Sequence, residues 1–435
     1  MKRLAALKFP FEKRELVILA ALLLIAFMVR LAFFPISGYI TDNNTNISWF
    51  SAAADYGPRV FYQKVWCDYP PLNVYFFWAF GSLAKGLSLF GSSLILYIIK
   101  LPATLFDIAA SFLIFAFVRK RLTFKMALLA SGLYAFNPVV IFNSAVWGQL
   151  DGIYTFFLVL SVYLILESKP KWATAVFMLA VLTKPQSIAL APLIIFLVFR
   201  KYNWDWKKLI TPVLAGAATI FAVVLPFEWN DPVTFLFNIY FGAYNNPVYQ
   251  ITSFNAFNIW GFNMYASDMQ GLPFLNFNII GWIMFGTLAV FTLYFVHKRA
   301  SAAPELCVIF AAFVLLFGFF MLPTRMHERY MFPAISMLAL MFPFIKKTRP
   351  LYLVLTTTCL VNQAYVLYWL NVSYAASGGH WSQNLNGDPV VLAVSLINIA
   401  TFVTVLMLML GELWGRKSLF QGNMKPEPTL QKGDG

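Results

Sequence analysis

Apolar runs close to the length of a membrane span recur along the whole chain, and nearly every one is bounded by a short basic cluster or a compact polar motif. That alternation admits few folds. With 60% hydrophobic and only 11% charged residues, the chain carries more apolar surface than a soluble core can hide. It also has no long polar stretch from which to build a soluble domain. The sequence therefore predicts an all-α, polytopic helical membrane protein. Its net charge of +14 is no nucleic-acid signature, because the basic residues gather between apolar runs, as the positive-inside rule places them. Cys67, Cys307 and Cys359 share no close spacing, which argues against a disulfide framework or a Cys-based metal site.

One run decides the topology. If Leu72–Phe90 crosses fully, the later basic clusters change sides. If it does not, seven clusters (the N-terminus, RKRLTFK, ESKPK, RKYNWDWKK, HKR, KKTR and the tail) all lie inside, and they hold 24 of the 32 Lys and Arg residues. The second arrangement is the expected one, with Leu72–Phe90 lying in or dipping into the outer leaflet. It gives about 12 spans, an uncleaved first span at Leu16–Ile36 and both termini cytoplasmic. Residues 1–415 form one transmembrane domain with large extracytoplasmic loops at about 37–91 and 227–277, and residues 416–435 form a polar, disordered tail. Trp172–Leu182 and Ser187–Phe199 are too short for complete crossings, so the TKPQ between them should sit below the outer surface, with Lys184 at bilayer depth.

This topology brings five polar motifs to one face: ITDNN around Asp42, CDYPP (Cys67–Pro71), WGQLD (Trp147–Asp151), TKPQ (Thr183–Gln186) and TRMHERY (Thr324–Tyr330). Carboxylates and cations converging on one cavity suit acid–base chemistry on an anionic substrate. Each motif also has a plainer reading. Asp42 is equally an ordinary loop carboxylate ahead of a helix over Ile47–Ala54. CDYPP fixes a helix start through proline at its first turn. Asp151 suits an N-cap beside an interfacial Trp147, Lys184 can snorkel, and TRMHERY fits an interfacial helix start. Asp107 and Arg30, inside the spans, can pair with interior polar groups.

WGQLD followed by a helix and then TKPQ, HERY at the start of a late span, and DYPP in the first outer loop resemble the GT-C polytopic glycosyltransferases. The similarity is nearest to bacterial membrane proteins related to GPI mannosyltransferases and to polyprenol-dependent mannosyltransferases. It covers roughly residues 30–343, including NAFNIW (Asn255–Trp260). The resemblance implies an inverting transferase in the plasma membrane, with its site on the extracytoplasmic face. It would move a mannose-like hexose from a polyprenyl-phosphate donor to a lipid or glycan acceptor. Asp42 matches the family's first-loop acid and would be the catalytic base. Its neighbours Asn43, Asn44 and Asn46 leave no acidic pair, so no metal and no other cofactor is expected. Lys184, Arg325 and Arg329 are candidates to bind the donor phosphate, which His327 could instead protonate. Trp147, Gln149, Asp151, Asp68, Tyr69, Gln186 and Glu328 are candidates to bind or orient substrate, and the aromatic 227–277 segment to hold the prenyl chain. The alternative is a lipid-linked sugar flippase or polysaccharide exporter, for which inverted repeats or polar residues toward both faces are expected and not seen.

Overall fold

The computed structural model describes residues 12–272, 274–299, 304–374, 385–415 and 419–420. The expected disordered tail falls almost wholly outside them. Helix α1 (Lys13–Phe33) leads into α2 (Ile40–Tyr56), the one-turn α3 (Phe61–Lys64), α4 (Pro71–Gly86) and α5 (Ile95–Arg119). Next come α6 (Phe124–Ala135), the one-turn α7 (Pro138–Ile141) and a π-helix (Phe142–Trp147). The middle of the chain holds α8 (Asp151–Leu166), α9 (Pro170–Val181), a 3-10 segment (Pro185–Leu190), α10 (Ala191–Lys201), α11 (Trp206–Val224) and α12 (Pro232–Tyr244). Short strands β1 (Ser253–Phe254), β2 (Gly271–Leu272) and β3 (Leu275–Asn276) precede α13 (Phe277–Arg299) and α14 (Pro304–Met321). Strand β4 (Met326–His327) and helices α15 (Phe332–Met341), α16 (Arg349–Trp369) and α17 (Pro389–Leu413) complete the order.

The chain is a multi-pass membrane protein of predominantly helical architecture. Among the described residues, 7 helices are long and apolar enough to cross a membrane, or up to 8 if the bent pair Phe124–Ala135 and Pro138–Trp147 counts as one span. The expected total of about 12 holds only if α8, α9, α10 and α15, of 16, 12, 11 and 10 residues, are counted as well. Helix α4 has 16 residues, about 24 Å at 1.5 Å per residue, and falls short of a ~30 Å hydrocarbon core. Helix α14 is the buried centre, with 89% of its apolar window covered, whereas α1 has 17% covered and lies at the periphery.

Ion pairs mark one end of the bundle. Arg119, at the end of α5, holds Glu15 of α1 at 2.9 Å, and Arg121 reaches both Glu305 at the start of α14 and Glu167 after α8. Lys120 also meets Glu167, at 2.8 Å. These helix ends share a face, so the opposite ends of α1, α5 and α8 face the other way, toward the motifs. Deep between them, Arg30 and Asp107 lie 3.8 Å apart with no solvent exposure, as their positions inside spans suggested. Tyr134 donates to Asp107 at 3.5 Å.

The bend between α6 and α7 follows from the sequence. Pro138 disfavours a helical Asn137, whose ψ is 125°, and the Asn137 side chain then accepts from the Val139 N–H at 2.9 Å. The run read as one span, Ala127–Phe142, is therefore broken, and its second part delivers WGQLD sideways into the site.

Candidate active site

Asp42 lies in the first turn of α2, not in a loop ahead of a later helix, because the helix begins at Ile40. A carboxylate there benefits from the unpaired N–H groups and dipole of the helix start. Its Oδ2 accepts two hydrogen bonds, from Trp147 Nε1 at 2.8 Å and from Gln149 Nε2 at 2.8 Å. Among the described residues no hydrogen bond engages its Oδ1. The first and third residues of WGQLD thus orient the acid, and Gly148 between them has φ +89°, a conformation that suits glycine. Burial raises the Asp42 pKa from its ordinary value, while nearby Arg329 and the Trp147 bond oppose the rise.

Helix α2 is fixed on α4. A Cβ at Gly81 would collide with the Phe50 carbonyl oxygen, so glycine permits the close approach. Trp49 stacks on Phe77 with centroids 5.7 Å apart and meets Tyr69 edge-on at 5.2 Å. Pro71 occupies the first turn of α4, as CDYPP suggested. The same helix start is tied to TKPQ: Asn73 Nδ2 donates to the Thr183 carbonyl at 2.6 Å, and the Leu72 N–H to the Leu182 carbonyl at 3.1 Å.

Asp151 does not cap its helix. Leu150 holds the N-cap position, and the Asp151 carboxylate turns inward, with no solvent exposure. Its Oδ1 accepts from Lys184 Nζ at 2.5 Å and its Oδ2 from Asn143 Nδ2 at 3.0 Å, with Arg329 Nε at 3.7 Å. Lys184 does not snorkel: it is 4% exposed, between the rings of Tyr69 (5.2 Å) and Tyr154 (5.6 Å). Arg329 Nη1 pairs with Glu328 Oε1 at 2.5 Å. Burial alone would raise Glu328, but Arg329 beside it prevails and holds the carboxyl down to about 2.

TRMHERY does not begin a helix. Met326–His327 pairs in parallel with Ser253–Phe254, and α15 starts only at Phe332. The pairing sets the His327 ring between Phe254 (4.8 Å) and Tyr330 (5.1 Å), with Nδ1 3.7 Å from Glu328 Oε2. Burial, then the Arg329 charge, lower the His327 pKa and favour the neutral ring. Asp68 has a buried Oδ1 with no hydrogen-bond partner among the described residues, close enough to Lys184, Arg329 and His327 to feel their charges, and burial raises its pKa. Gln186 likewise carries a buried Oε1 without a partner among the described residues.

Arg325 stands apart from the other clamp candidates. Its Nε and Nη2 grip the Asp268 carboxylate at 2.6 and 3.1 Å, its Nη1 reaches the Tyr244 carbonyl, and its backbone takes φ +64°. Thr324 and Asn278 also donate to Asp268, at 2.8 and 3.1 Å. The Arg325 fork is spent on latching the 244–278 segment. Arg325→Lys keeps the charge but loses the two-pronged grip. It should cost about 1.5–3 kcal/mol, read as a lower melting temperature of the purified protein.

Around Lys184 and Arg329 the carboxyls matched by these cations are Asp151 and Glu328, whereas Asp42 and Asp68 are raised by burial. Residues 68–229 match the dolichyl-phosphate-mannose-protein mannosyltransferase family. That family is of the GT-C superfamily, so the match bears out the resemblance drawn from the motifs. The mannosyltransferase-like segment contains Asp68, Tyr69, Trp147, Gln149, Asp151, Lys184 and Gln186, whereas Asp42 and HERY lie outside it. No curated protein matches the chain. Among the described residues no group of three or more His, Cys, Asp or Glu side chains is placed to hold a metal ion.

Sequence reading missed Asn143, Tyr154 and Asn362. Asn143 Nδ2 reaches both Asp151 and, at 3.1 Å, Gln363. Tyr154 lies on the same helix as Asp151, one turn on, and its buried hydroxyl has no hydrogen-bond partner among the described residues. Asn362 anchors NAFNIW by donating to the Asn255 carbonyl (2.8 Å) and accepting from the Phe257 N–H (3.0 Å). The position of Tyr154 three residues after Asp151 was a usable helical signal. Nothing local distinguished the two asparagines.

Proposed function

We propose that this chain is an inverting glycosyltransferase that takes a hexose, such as mannose, from a polyprenyl-phosphate donor and passes it to a hydroxyl of an extracytoplasmic lipid or glycan, with Asp42 as the base. The observation that carries the reading is the pair of hydrogen bonds from Trp147 and Gln149 onto Asp42 Oδ2, which leave Oδ1 for the acceptor.

The charge inventory separates the roles. A base must be ionised yet able to accept a proton, which excludes Glu328, held at about 2. Asp151 is engaged by Lys184 and Asn143. Asp42 and Asp68 remain, and Asp42 is the one that side-chain donors orient. In the reaction the acceptor oxygen forms a bond to the anomeric carbon while its proton moves to Asp42 Oδ1. The bond from that carbon to the phosphate oxygen breaks, and its electron pair leaves with polyprenyl phosphate. The leaving phosphate gains one negative charge, and Lys184 and Arg329, which meet at Asp151, are the candidates to stabilise it. Both are already matched by carboxylates, so the cluster suits a donor with one phosphate better than a diphosphate. A neutral His327 fits a hydrogen-bonding role at the phosphate better than that of an acid. Trp229, Phe237, Phe241 and Phe274 are exposed apolar side chains of the 227–277 segment, available to the prenyl chain.

Donor choice tests the reading. The protein in lipid nanodiscs, mixed with membrane glycolipids, should transfer label from polyprenyl-phosphate [14C]mannose and not from GDP-[14C]mannose. Transfer from the nucleotide sugar alone would refute it.

A further inference from the structure

The proposed base depends on Trp147 and Gln149 meeting Asp42 across a gap of about a hundred residues in sequence, and one buried ammonium joins the two backbones that carry them. Lys100, in the second turn of α5, has no solvent exposure. Its Nζ donates to the carbonyls of Phe34 (3.1 Å) and Ile36, just past the end of α1 and ahead of α2. With its three N–H shared among four oxygens, it also donates to the carbonyls of Ala145 (2.8 Å) and Val146 (3.2 Å), the last turn of the π-helix before Trp147. Helix ends leave carbonyl oxygens without partners, and a cation is the favourable group to place there. Here two such ends share one. The segments also touch directly: Gly38 takes φ +58°, and a Cβ on it would strike the Trp147 carbonyl oxygen. Gly148 makes room for the lysine stem, since a Cβ there would stand 3.3 Å from Lys100 Cε.

We infer that Lys100 is a positioning residue for Asp42: it staples the α1–α2 connection to the end of the π-helix, so that Trp147 and Gln149 hold the Asp42 carboxylate in one orientation. Among the described residues every hydrogen-bond partner of the ammonium is a backbone carbonyl, which separates it from Lys184 and Arg329, whose partners are carboxylates of the site. In the sequence Lys100 stands out only as one of the few basic residues outside the inner clusters.

This inference rests on the proposed role of Asp42, and its test has an arm that needs no turnover. The full chain, labelled with [indole-15N]tryptophan in nanodiscs, gives indole N–H signals from its 13 Trp residues, and loss of one in Trp147→Phe assigns Trp147. In Lys100→Met that signal should move to the position it takes in Asp42→Ala. With polyprenyl-phosphate [14C]mannose, kcat should fall roughly 100-fold, as expected for misplaced reacting groups, and KM for the donor should stay within about twofold. Lys100→Gln, which keeps two N–H donors, should shift the signal part of the way and lose less kcat; it stands in if the Met variant does not fold. A Trp147 signal unmoved in the folded variant would overturn the inference. So would a moved signal with undiminished kcat, provided Asp42→Ala is inactive. Undiminished turnover in Asp42→Ala would instead refute the reading of Asp42, with the signal still deciding whether Lys100 positions Trp147.

Discussion

Lys184→Met should both destabilise the protein and weaken its hold on the donor phosphate. The ammonium lies 2.5 Å from Asp151, and both side chains are almost fully buried. Removing one partner leaves a buried carboxylate without its counter-charge, which costs about 3–5 kcal/mol. Asn143 and Arg329 also touch Asp151, so the lower part of that range is expected. The double variant Lys184→Met/Asp151→Asn removes both charges and should recover most of the stability, since a neutral pair need not be compensated. It should not recover transfer. Thermal melts of the single and double variants, beside transfer assays, separate the structural part of the pair from its part at the phosphate. Equal instability in both would show that the two charges do not act as a pair.

Asp42→Asn should abolish most transfer while leaving the fold at least as stable. General base catalysis contributes typically ~10²–10⁴-fold, and that is the expected loss. Stability runs the other way because burial raises the Asp42 pKa. A carboxyl whose folded pKa lies above its unfolded one contributes stability that is full at acid pH and is lost as pH rises through the folded value. Asparagine does not ionise, so at neutral pH the variant avoids that cost while still accepting from Trp147 and Gln149. The same shift fixes the pH profile. Wild-type kcat/KM should fall as pH drops through the raised Asp42 pKa. The residual rate of Asp42→Asn should lack that limb.

The apolar runs and basic clusters were enough to read a helical membrane protein and to bring distant motifs to one face, because span length and charge placement are local, additive signals. The burial of Lys184 was legible for the same reason: the helices on either side of it are too short to carry it clear of the bundle. Its partner was not, because Asp151 followed by a helix looks like an N-cap until Pro138 and the π-helix turn the segment inward. TRMHERY misled in a similar way. Four-residue spacing of Arg325 and Arg329 suggests one helix face, but pairing with Ser253–Phe254 makes the stretch extended and sends the two arginines to different carboxylates. A strand of two residues, paired across some seventy positions, leaves no pattern in either segment alone. Lys100 was hidden for another reason, since its partners are backbone carbonyls, which any sequence supplies.

The most direct test of Asp42 as base is a single-turnover quench measurement of polyprenyl phosphate released from polyprenyl-phosphate [14C]mannose, with wild type, Asp42→Asn and Asp68→Asn compared in nanodiscs with membrane glycolipids. The account predicts rapid release by wild type, a loss of ~10²–10⁴-fold in Asp42→Asn and a much smaller one in Asp68→Asn. Wild-type release by Asp42→Asn, or the large loss in Asp68→Asn alone, would contradict it.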